Sequence, residues 1–254
     1  MKRAAPAALS LISVLSLAAL TACGGADEGS DAKTTDQAKA TATASSSASA
    51  SASATKPAAD PAKELAKLLV TKVKSDDNDY SVHEPASGDA MATSQDQLTL
   101  DKKVCAPMAY ATNYLPLGDP EASLVRIADN GRTVYTYITL ASYSAGKAEA
   151  AMKGLSEAAS ACTAGYTAKS AKASTTYSSV KKETAPAATG ADESIATVST
   201  VPYKGTQTMR TQTFRFNDTI VNYFSIDSGG FINGRSSEAT VPADVVKAQN
   251  AKLG

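Results

Sequence analysis

Histidine is nearly absent from this chain, which has one copy, His83, among 254 residues. Zinc sites built on several histidines and cysteine–histidine catalytic pairs therefore lack the residues they need. A serine–histidine–aspartate triad would depend on His83 alone, and no serine lies in a Gly-x-Ser-x-Gly motif. We therefore predict no metal site, no cofactor and no catalytic residue. We expect His83 at the surface, at the end of a short strand.

An excess of positive charge is also missing. The 25 lysines and arginines equal the 25 aspartates and glutamates in number. A domain that binds nucleic acid usually shows a basic patch and a basic net charge. Nucleic acid is therefore not an expected partner.

The apolar run near the N-terminus is too short to cross a membrane. It extends from Ala7 to Leu20, whereas a membrane-spanning helix needs about 20 apolar residues. Lys2 and Arg3 precede the run and small residues follow it, as in a secretory signal peptide. We predict that residues 1–22 are a signal peptide, and a transmembrane anchor is the alternative.

Three cysteines would leave one thiol over in a secreted protein, unless one cysteine has a separate covalent role. Leu20-Thr21-Ala22-Cys23 resembles the lipobox of bacterial lipoproteins, whose cysteine is lipidated before the peptide is cut on its N-terminal side. The resemblance implies that Cys23 carries lipid such as palmitate, and several acyl chains on one residue make release from a bilayer negligible. The predicted location is the outer, extracytoplasmic face of the cell membrane, with the membrane as a partner through the lipid anchor.

Alanine, serine and threonine dominate the segment that follows, residues 23–59. This segment has no aromatic residue and no apolar period, so it cannot bury enough surface to offset its chain entropy. We predict that residues 23–59 are a disordered tether and that residues 60–254 form a globular domain.

Helices are predicted where apolar residues recur every three to four positions and capping residues precede them. The first begins at Asp60-Pro61 and carries Leu65, Leu68, Leu69 and Val73 on one face. The others are a short helix from Cys105 to Tyr114, a helix that is capped by Ser144 and ends at Cys162, and a closing helix from Pro242 to Leu253.

Strands are predicted where β-branched and aromatic residues cluster. A hairpin joins residues 123–127 to 133–140 through Asp129-Asn130-Gly131. Further strands are predicted at 177–183, 194–201, 208–216 and 219–226, the last two joined by Asn217-Asp218. Long hairpins among helices, without regular βαβ alternation, predict a single α+β domain with a mainly antiparallel sheet.

Cys105 and Cys162 remain as one pair once Cys23 is set aside. In an oxidising compartment the expected result is one disulfide within the domain. Two reduced thiols in the core and a redox pair are the alternatives. A redox pair usually has closely spaced cysteines, which this sequence lacks.

Two acidic segments are candidates for chemistry. Asp76-Asp77-Asn78-Asp79 resembles the start of a calcium loop, but Ser87 stands where the loop needs a glutamate, and a solvated acidic turn is the favoured alternative. Asp192-Glu193 could supply an acid and a base. Successive strand residues point to opposite faces, so a structural role is favoured for this pair.

Aromatic residues are the remaining candidates for binding: ten tyrosines, four phenylalanines and no tryptophan. Aromatic side chains in a sheet are usually core, although tyrosines can also line an amphipathic cleft. Those in or beside the predicted strands are Tyr135, Tyr137, Tyr143, Phe214, Phe216, Tyr223 and Phe224. The pattern does not single out ligand-binding residues, so these stay unassigned.

Short motifs along the domain carry a family resemblance. They are Tyr80-Ser81-Val82 after an amphipathic helix, Cys105-Ala106-Pro107, Ser142-Tyr143 before an alanine-rich helix that ends in Ala161-Cys162, Gly190-Ala191-Asp192-Glu193-Ser194 before a strand, and a final helix after Pro242. With these motifs the chain resembles actinobacterial cell-surface sensor-like lipoproteins, which are related to the extracellular sensor domain of PknH-type receptor kinases.

The resemblance implies an α+β domain with a cleft used for sensing or binding rather than for catalysis. This chain departs from the kinases because it has no kinase domain, no transmembrane helix and no second disulfide, so any signal would pass through a separate partner. The main hypothesis is a membrane-anchored domain that binds or senses an envelope lipid, glycan or small molecule. The alternatives are a cell-wall hydrolase or transferase that uses carboxylates, and a spacer or protein-contact module.

Overall fold

A computed structural model describes residues 60–75, 78–86, 88 and 90–254. The predicted signal peptide at 1–22, Cys23 and the predicted tether at 23–59 lie outside the described residues. Asp76, Asp77 and Ser87 of the calcium-like segment also lie outside them. The boundaries of the signal peptide and of the tether therefore stay predictions.

The described residues form twelve strands and five α-helices. The strands are β1 Lys72–Lys74, β2 Asp79–His83, β3 Thr99–Leu100, β4 Ala122–Asp129, β5 Val134–Ser142, β6 Tyr166–Lys169, β7 Ser174–Tyr177, β8 Ser179–Glu183, β9 Glu193–Pro202, β10 Thr206–Phe216, β11 Thr219–Asp227 and β12 Ser237–Glu238. The helices are α1 Pro61–Leu68, α2 Ala106–Ala111, α3 Lys147–Ala161, α4 Ser228–Asn233 and α5 Ala243–Asn250.

The main sheet has nine strands in the order β1-β2-β4-β5-β11-β10-β9-β8, with β12 added beside β10. Its neighbours pair antiparallel, except that β12 runs parallel to β10. A second sheet has the order β3-β6-β7 and is antiparallel. The predicted α+β domain with a mainly antiparallel sheet is confirmed.

Both predicted hairpins are present. β4 and β5 pair across the turn at residues 130–133, where the Asp129 carboxylate accepts the Gly131 N–H at 2.9 Å. β10 and β11 pair across Asn217, whose φ of 51° is one that asparagine tolerates better than most residues. These turns were predictable because the residues that close them are local in sequence.

The first helix begins as predicted and ends earlier than predicted. Its N-cap is Asp60, whose carboxylate accepts the Ala62 N–H at 3.1 Å. The helix stops at Leu68, and Val73 lies in β1 instead of on the helical face. The side chain of Gln249 explains the stop, because it accepts the Val70 N–H and donates to the Leu68 carbonyl.

Four further boundaries differ from prediction, and one of them is that of α5, which ends at Asn250 rather than at Leu253. Ser144 does not cap α3, because Gly146, with φ of 76°, is the N-cap residue and the Ser144 carbonyl accepts the Lys147 N–H. α2 ends at Ala111 rather than at Tyr114. The strand predicted at 177–183 is two strands in different sheets, since Ser178 turns the chain toward Thr200.

The main sheet is covered on both faces. α2, α3 and the second sheet contribute to one core cluster, which includes Met108, Leu155 and Tyr166. α1 and α5 contribute to the other cluster through residues such as Leu65 and Val245. We call these the α2/α3 face and the α1/α5 face of the sheet.

A disulfide joins Cys105, immediately before α2, to Cys162, immediately after α3. Both cysteines have no solvent exposure, and their Cα atoms are 5.9 Å apart. The predicted pairing within the domain is therefore confirmed. The bond fixes α2, and the segment that follows it, to the long helix on the same face.

Candidate functional site

A cleft of about 490 Å³ opens on the α2/α3 face of the main sheet. Its walls come from β5, β9, β10 and β11, from the residues after α2, from β7 of the second sheet, and from α4. We call it the aromatic cleft because six rings line it: Tyr114, Tyr137, Tyr177, Tyr203, Phe224 and Phe231.

Strand pairing places the floor of the cleft. Tyr137 of β5 lies directly opposite Phe224 of β11, so both side chains leave the same face of the sheet. Their ring centroids are 5.9 Å apart with an interplanar angle of 24°. Ile226 and Met209 extend this floor along the neighbouring positions of β11 and β10. The result is a continuous apolar surface on the sheet.

Tyr114 forms the wall nearest to α2. It has φ of 45°, a left-handed conformation that costs a bulky residue about 1–3 kcal/mol. The ring of Tyr114 stacks on Tyr137 with centroids 4.1 Å apart and an interplanar angle of 8°. Thr139 donates to the Tyr114 carbonyl at 3.0 Å, which holds the backbone in place. Strained residues of this kind concentrate at binding sites.

Buried polar groups fix the base of this wall. The hydroxyls of Thr112 and Tyr177 are hydrogen bonded at 3.0 Å, and Thr112 also donates to the Met108 carbonyl. The Asn113 amide donates to the Ala109 carbonyl at 2.7 Å. Burial raises the pKa of Tyr177, so its hydroxyl stays neutral at physiological pH. The polar groups therefore tie the segment after α2 to the second sheet without adding charge.

None of the described residues that line the aromatic cleft is charged. Small hydroxyl side chains stand along β7 at its edge, at Ser174, Thr175 and Thr176. Tyr203 lies in the turn between β9 and β10 and is 44% exposed. Chemically, the cleft offers a flat aromatic interior and an uncharged, hydroxyl-bearing edge.

Only some of the aromatic residues named from the sequence line the cleft, and the others belong to the core. Of the seven candidates, Tyr137 and Phe224 line the cleft. Phe214, Phe216 and Tyr223 belong to the core of the α1/α5 face. The alternation along β11 could have separated Tyr223 from Phe224, because adjacent strand residues point to opposite faces.

The other two candidates, Tyr135 and Tyr143, lie on the α2/α3 face outside the cleft lining. Four aromatic residues of the cleft were not among the candidates: Tyr114, Tyr177, Tyr203 and Phe231. Tyr177 ends β7 and Tyr203 directly follows β9, whereas Tyr114 lies after α2 and Phe231 lies within α4. Their shared feature in the sequence is only that they are aromatic.

The acidic pair Asp192-Glu193 is held by one arginine. Arg215 contacts Asp192 at 3.1 Å and Glu193 at 2.8 Å, and Asp192 also accepts the Asn217 N–H. Asp192 precedes β9, so the two carboxylates reach the same guanidinium, contrary to the expectation from strand alternation. Neither carboxylate lines a described cleft. This geometry agrees with the favoured structural role.

His83 is exposed and ends β2, as expected. Its Nε2 lies 2.6 Å from the Asp129 carboxylate. Hydrogen bonding to the Glu84 carbonyl, and then to Asp129, raises the pKa of His83. In the described ranges, no three His, Cys, Asp or Glu side chains group so as to hold a metal ion. The same ranges contain no helix with the length and apolar character to span a membrane.

No family model matches the chain, and no curated protein matches it. Among solved structures, it is similar to the extracellular domain of PknH from Mycobacterium tuberculosis, with a TM-score of 0.46 and 10% identity over 76% of this chain and 93% of that one. It is also similar to an uncharacterized protein from Mycobacterium smegmatis, the Rv0999 ortholog, with a TM-score of 0.36 and 13% identity over 78% of this chain and 98% of that one. Both TM-scores are below 0.5.

Proposed function

We propose that the domain binds an uncharged ligand with a flat apolar surface, such as a sugar ring or the apolar part of a lipid, in the aromatic cleft. The observation that carries the proposal is the combination of a stacked aromatic interior with a lining free of charge in the described residues. Binding without chemistry is the function that this lining supports best.

The size and lining of the cleft support this proposal. Small-molecule sites have volumes of about 300–1,000 Å³ and apolar walls with a few polar groups. The aromatic cleft, at about 490 Å³, is within that range. Its polar groups are hydroxyls and one amide, which can orient a neutral ligand by hydrogen bonds but cannot neutralise a charged one.

Location is the second part of the proposal. The N-terminal sequence supports a lipoprotein that is anchored by Cys23 on the outer face of the membrane, where an envelope lipid, glycan or small molecule can reach the domain. In its own host, the Cys23→Ala variant should leave the membrane fraction or stay uncut. Membrane retention of a processed Cys23→Ala protein would contradict the anchor.

An uncharged fluorescent probe tests the cleft. N-phenyl-1-naphthylamine carries no charge and becomes fluorescent in apolar surroundings. We expect saturable binding to the full chain. The double variant Tyr203→Ala, Phe231→Ala should weaken binding about tenfold, because an aromatic contact contributes about 0.5–1.5 kcal/mol beyond its buried area.

The matched control is Val104→Ala. Val104 is 53% exposed, so it is also an exposed large apolar residue, but it does not line the cleft. Its substitution should leave probe affinity unchanged. Equal losses in the control and in the double variant would mean that the probe binds nonspecifically, and the cleft would lose its support.

The hydrolase alternative receives no support from the geometry. A glycoside hydrolase places two carboxyl groups on either side of its substrate. Here Asp192 and Glu193 face one guanidinium, and neither lines the aromatic cleft. Substitution of Asp192 or Glu193 is therefore expected to change stability rather than ligand binding.

A further inference from the structure

Exposed apolar side chains stand together at one end of the main sheet, beside the aromatic cleft. Among the described residues, three large apolar side chains are strongly exposed: Val104 at 53%, Tyr203 at 44% and Ile232 at 78%. Val104 lies in the segment before α2, whereas Tyr203 is in the β9–β10 turn and Ile232 is in α4. Exposed apolar residues that cluster mark interaction sites, whereas isolated ones are ordinary.

The β9–β10 turn and α4 are held together as one surface. The rings of Tyr203 and Phe231 have their centroids 5.6 Å apart. The side-chain amide of Gln207 donates to the Tyr203 carbonyl at 3.1 Å and to the Arg235 carbonyl at 2.8 Å. The exposed side chains of both segments are therefore presented by a fixed backbone.

The charged residues of these segments are both cations. Residues 202–207 and 228–237 contain Lys204 and Arg235 and no acidic residue. Both cations are exposed, and neither makes an ion pair in the part of the chain that the structure describes. The Lys204 ammonium lies 5.5 Å from the centre of the Tyr203 ring. We define the tip surface as four side chains: Tyr203, Lys204, Ile232 and Arg235.

The acidic residues that flank the two segments do not cancel this charge. Asp227 is 8% exposed, and its carboxylate caps α4 by accepting the Gly229 N–H at 2.9 Å. Glu238 is paired with Arg210 at 3.0 Å. The tip surface therefore presents apolar groups together with positive charge.

This combination fits an anionic bilayer surface better than a protein. Aromatic rings are enriched at the membrane interface, and long cationic side chains can lie along apolar surface while their charge stays at the headgroups. Protein interfaces are depleted in lysine and use about 20–30 residues on each side, far more than the tip surface has. Lys204 and Arg235 are complementary in charge to anionic lipid headgroups.

We propose that the tip surface docks the domain on a bilayer that contains anionic lipid. Ile232 and the Tyr203 ring enter the headgroup region, and Lys204 and Arg235 contact the phosphate groups. Tyr203 and Phe231 also line the aromatic cleft, so docking turns the rim of this cleft toward the lipid. The docking is independent of what the cleft binds and of the anchor on Cys23.

Tryptophan fluorescence tests the contact directly. The chain has no tryptophan, so Ile232→Trp adds one reporter at the tip surface and Val104→Trp adds one at the matched exposed site. Both are made in the full chain with Cys23→Ala, so that no lipid anchor holds the protein on the membrane. The vesicles are an equal mixture of phosphatidylglycerol and phosphatidylcholine with brominated acyl chains, which quench a tryptophan that reaches them. We expect saturable quenching of Ile232→Trp and none of Val104→Trp.

A second pair of variants tests the charge. In the Ile232→Trp chain, Lys204→Gln together with Arg235→Gln should weaken vesicle affinity about 30-fold, because each basic side chain near an anionic surface contributes about fivefold. The matched control is Lys103→Gln together with Lys147→Gln, which removes the same charge from exposed lysines outside the tip surface. The control should keep most of the affinity. Melting temperatures should be the same for both double variants, since all four side chains are exposed.

Three results would overturn the proposal. One is an absence of quenching in Ile232→Trp at saturating vesicle concentration. Another is equal quenching of Ile232→Trp and Val104→Trp, which would place the contact elsewhere. The third is equal weakening by the two pairs of charge variants. Probe binding in the aromatic cleft is measured without vesicles, so failure of the docking and failure of the proposed ligand site are distinguishable.

Discussion

Removal of the disulfide should destabilise the domain strongly. The bond joins Cys105 to Cys162 across 57 positions of the sequence. In the chain-entropy account, opening a loop of that length gives the unfolded chain freedom that lowers the free energy of unfolding by about 4 kcal/mol. For a domain of this size the melting temperature should fall by about 8–16 °C, at about 2–4 °C for each kcal/mol.

The assay is urea unfolding of the double variant Cys105→Ala, Cys162→Ala beside the wild type. The wild type treated with a thiol reductant should lose a similar amount of stability, because both treatments open the same loop. Cys23→Ala is the matched control, since Cys23 has no predicted role in the domain core. Its free energy of unfolding should not change.

A loss below about 1 kcal/mol in the double variant would refute this reasoning. It would mean that the unfolded chain is already restricted between the two cysteines. The bond also holds α2 against α3, and the residues after α2 carry Tyr114. The double variant should therefore bind the neutral probe more weakly than the wild type, even under conditions in which it is folded.

Three other predictions follow from single contacts. The pKa of His83 should lie above about 6.5 in the wild type and should fall in the Asp129→Asn variant. An NMR titration of the single histidine measures both values. A pKa that Asp129→Asn leaves unchanged would contradict the pairing of His83 with Asp129. Partial burial raises the pKa of Asp129, but hydrogen bonds from the Gly131 N–H and from His83 outweigh it, so that this pKa is lowered. The His83–Asp129 pair therefore stabilises the fold most between about pH 4 and 6.5, and its contribution falls at higher or lower pH. Because the pair is exposed, that contribution is less than about 1 kcal/mol. Gly165→Ala should lower the free energy of unfolding in urea by more than about 2 kcal/mol, because φ is 76° and a Cβ would overlap the Tyr177 carbonyl; a neutral result would contradict this close approach. Arg215→Met should cost about 1 kcal/mol in the same assay without changing probe binding, and a loss of probe binding would contradict its structural role.

The elements that were predictable from sequence are those set by neighbouring residues. Asp60 caps α1, and Asp129 and Gly131 close the first hairpin, because the groups that bond are within three positions of each other. Strand alternation within β10 and β11 likewise follows from local pattern. These features carried the prediction of an α+β domain with an antiparallel sheet.

The boundaries that were missed depend on distant residues. α1 ends at Leu68 because Gln249, 181 positions away, bonds the Leu68 carbonyl. α2 ends before Tyr114, whose positive φ is held by a stack on Tyr137 and by a bond from Thr139. A sequence window around either helix contains no sign of these contacts.

The aromatic cleft was missed for the same reason. Its rings come from separate segments, including the residues after α2, β7, the β9–β10 turn and α4. The sequence could suggest that tyrosines line a cleft, but it could not select which ones.

Ligand binding in the aromatic cleft is tested most directly by a crystal structure of the protein purified from its own host without added ligand. The account predicts density for an uncharged molecule packed against Tyr137 and Phe224, with a mass that native mass spectrometry identifies. An aromatic cleft that contains only water, together with a native mass equal to that of the lipidated chain alone, would contradict it.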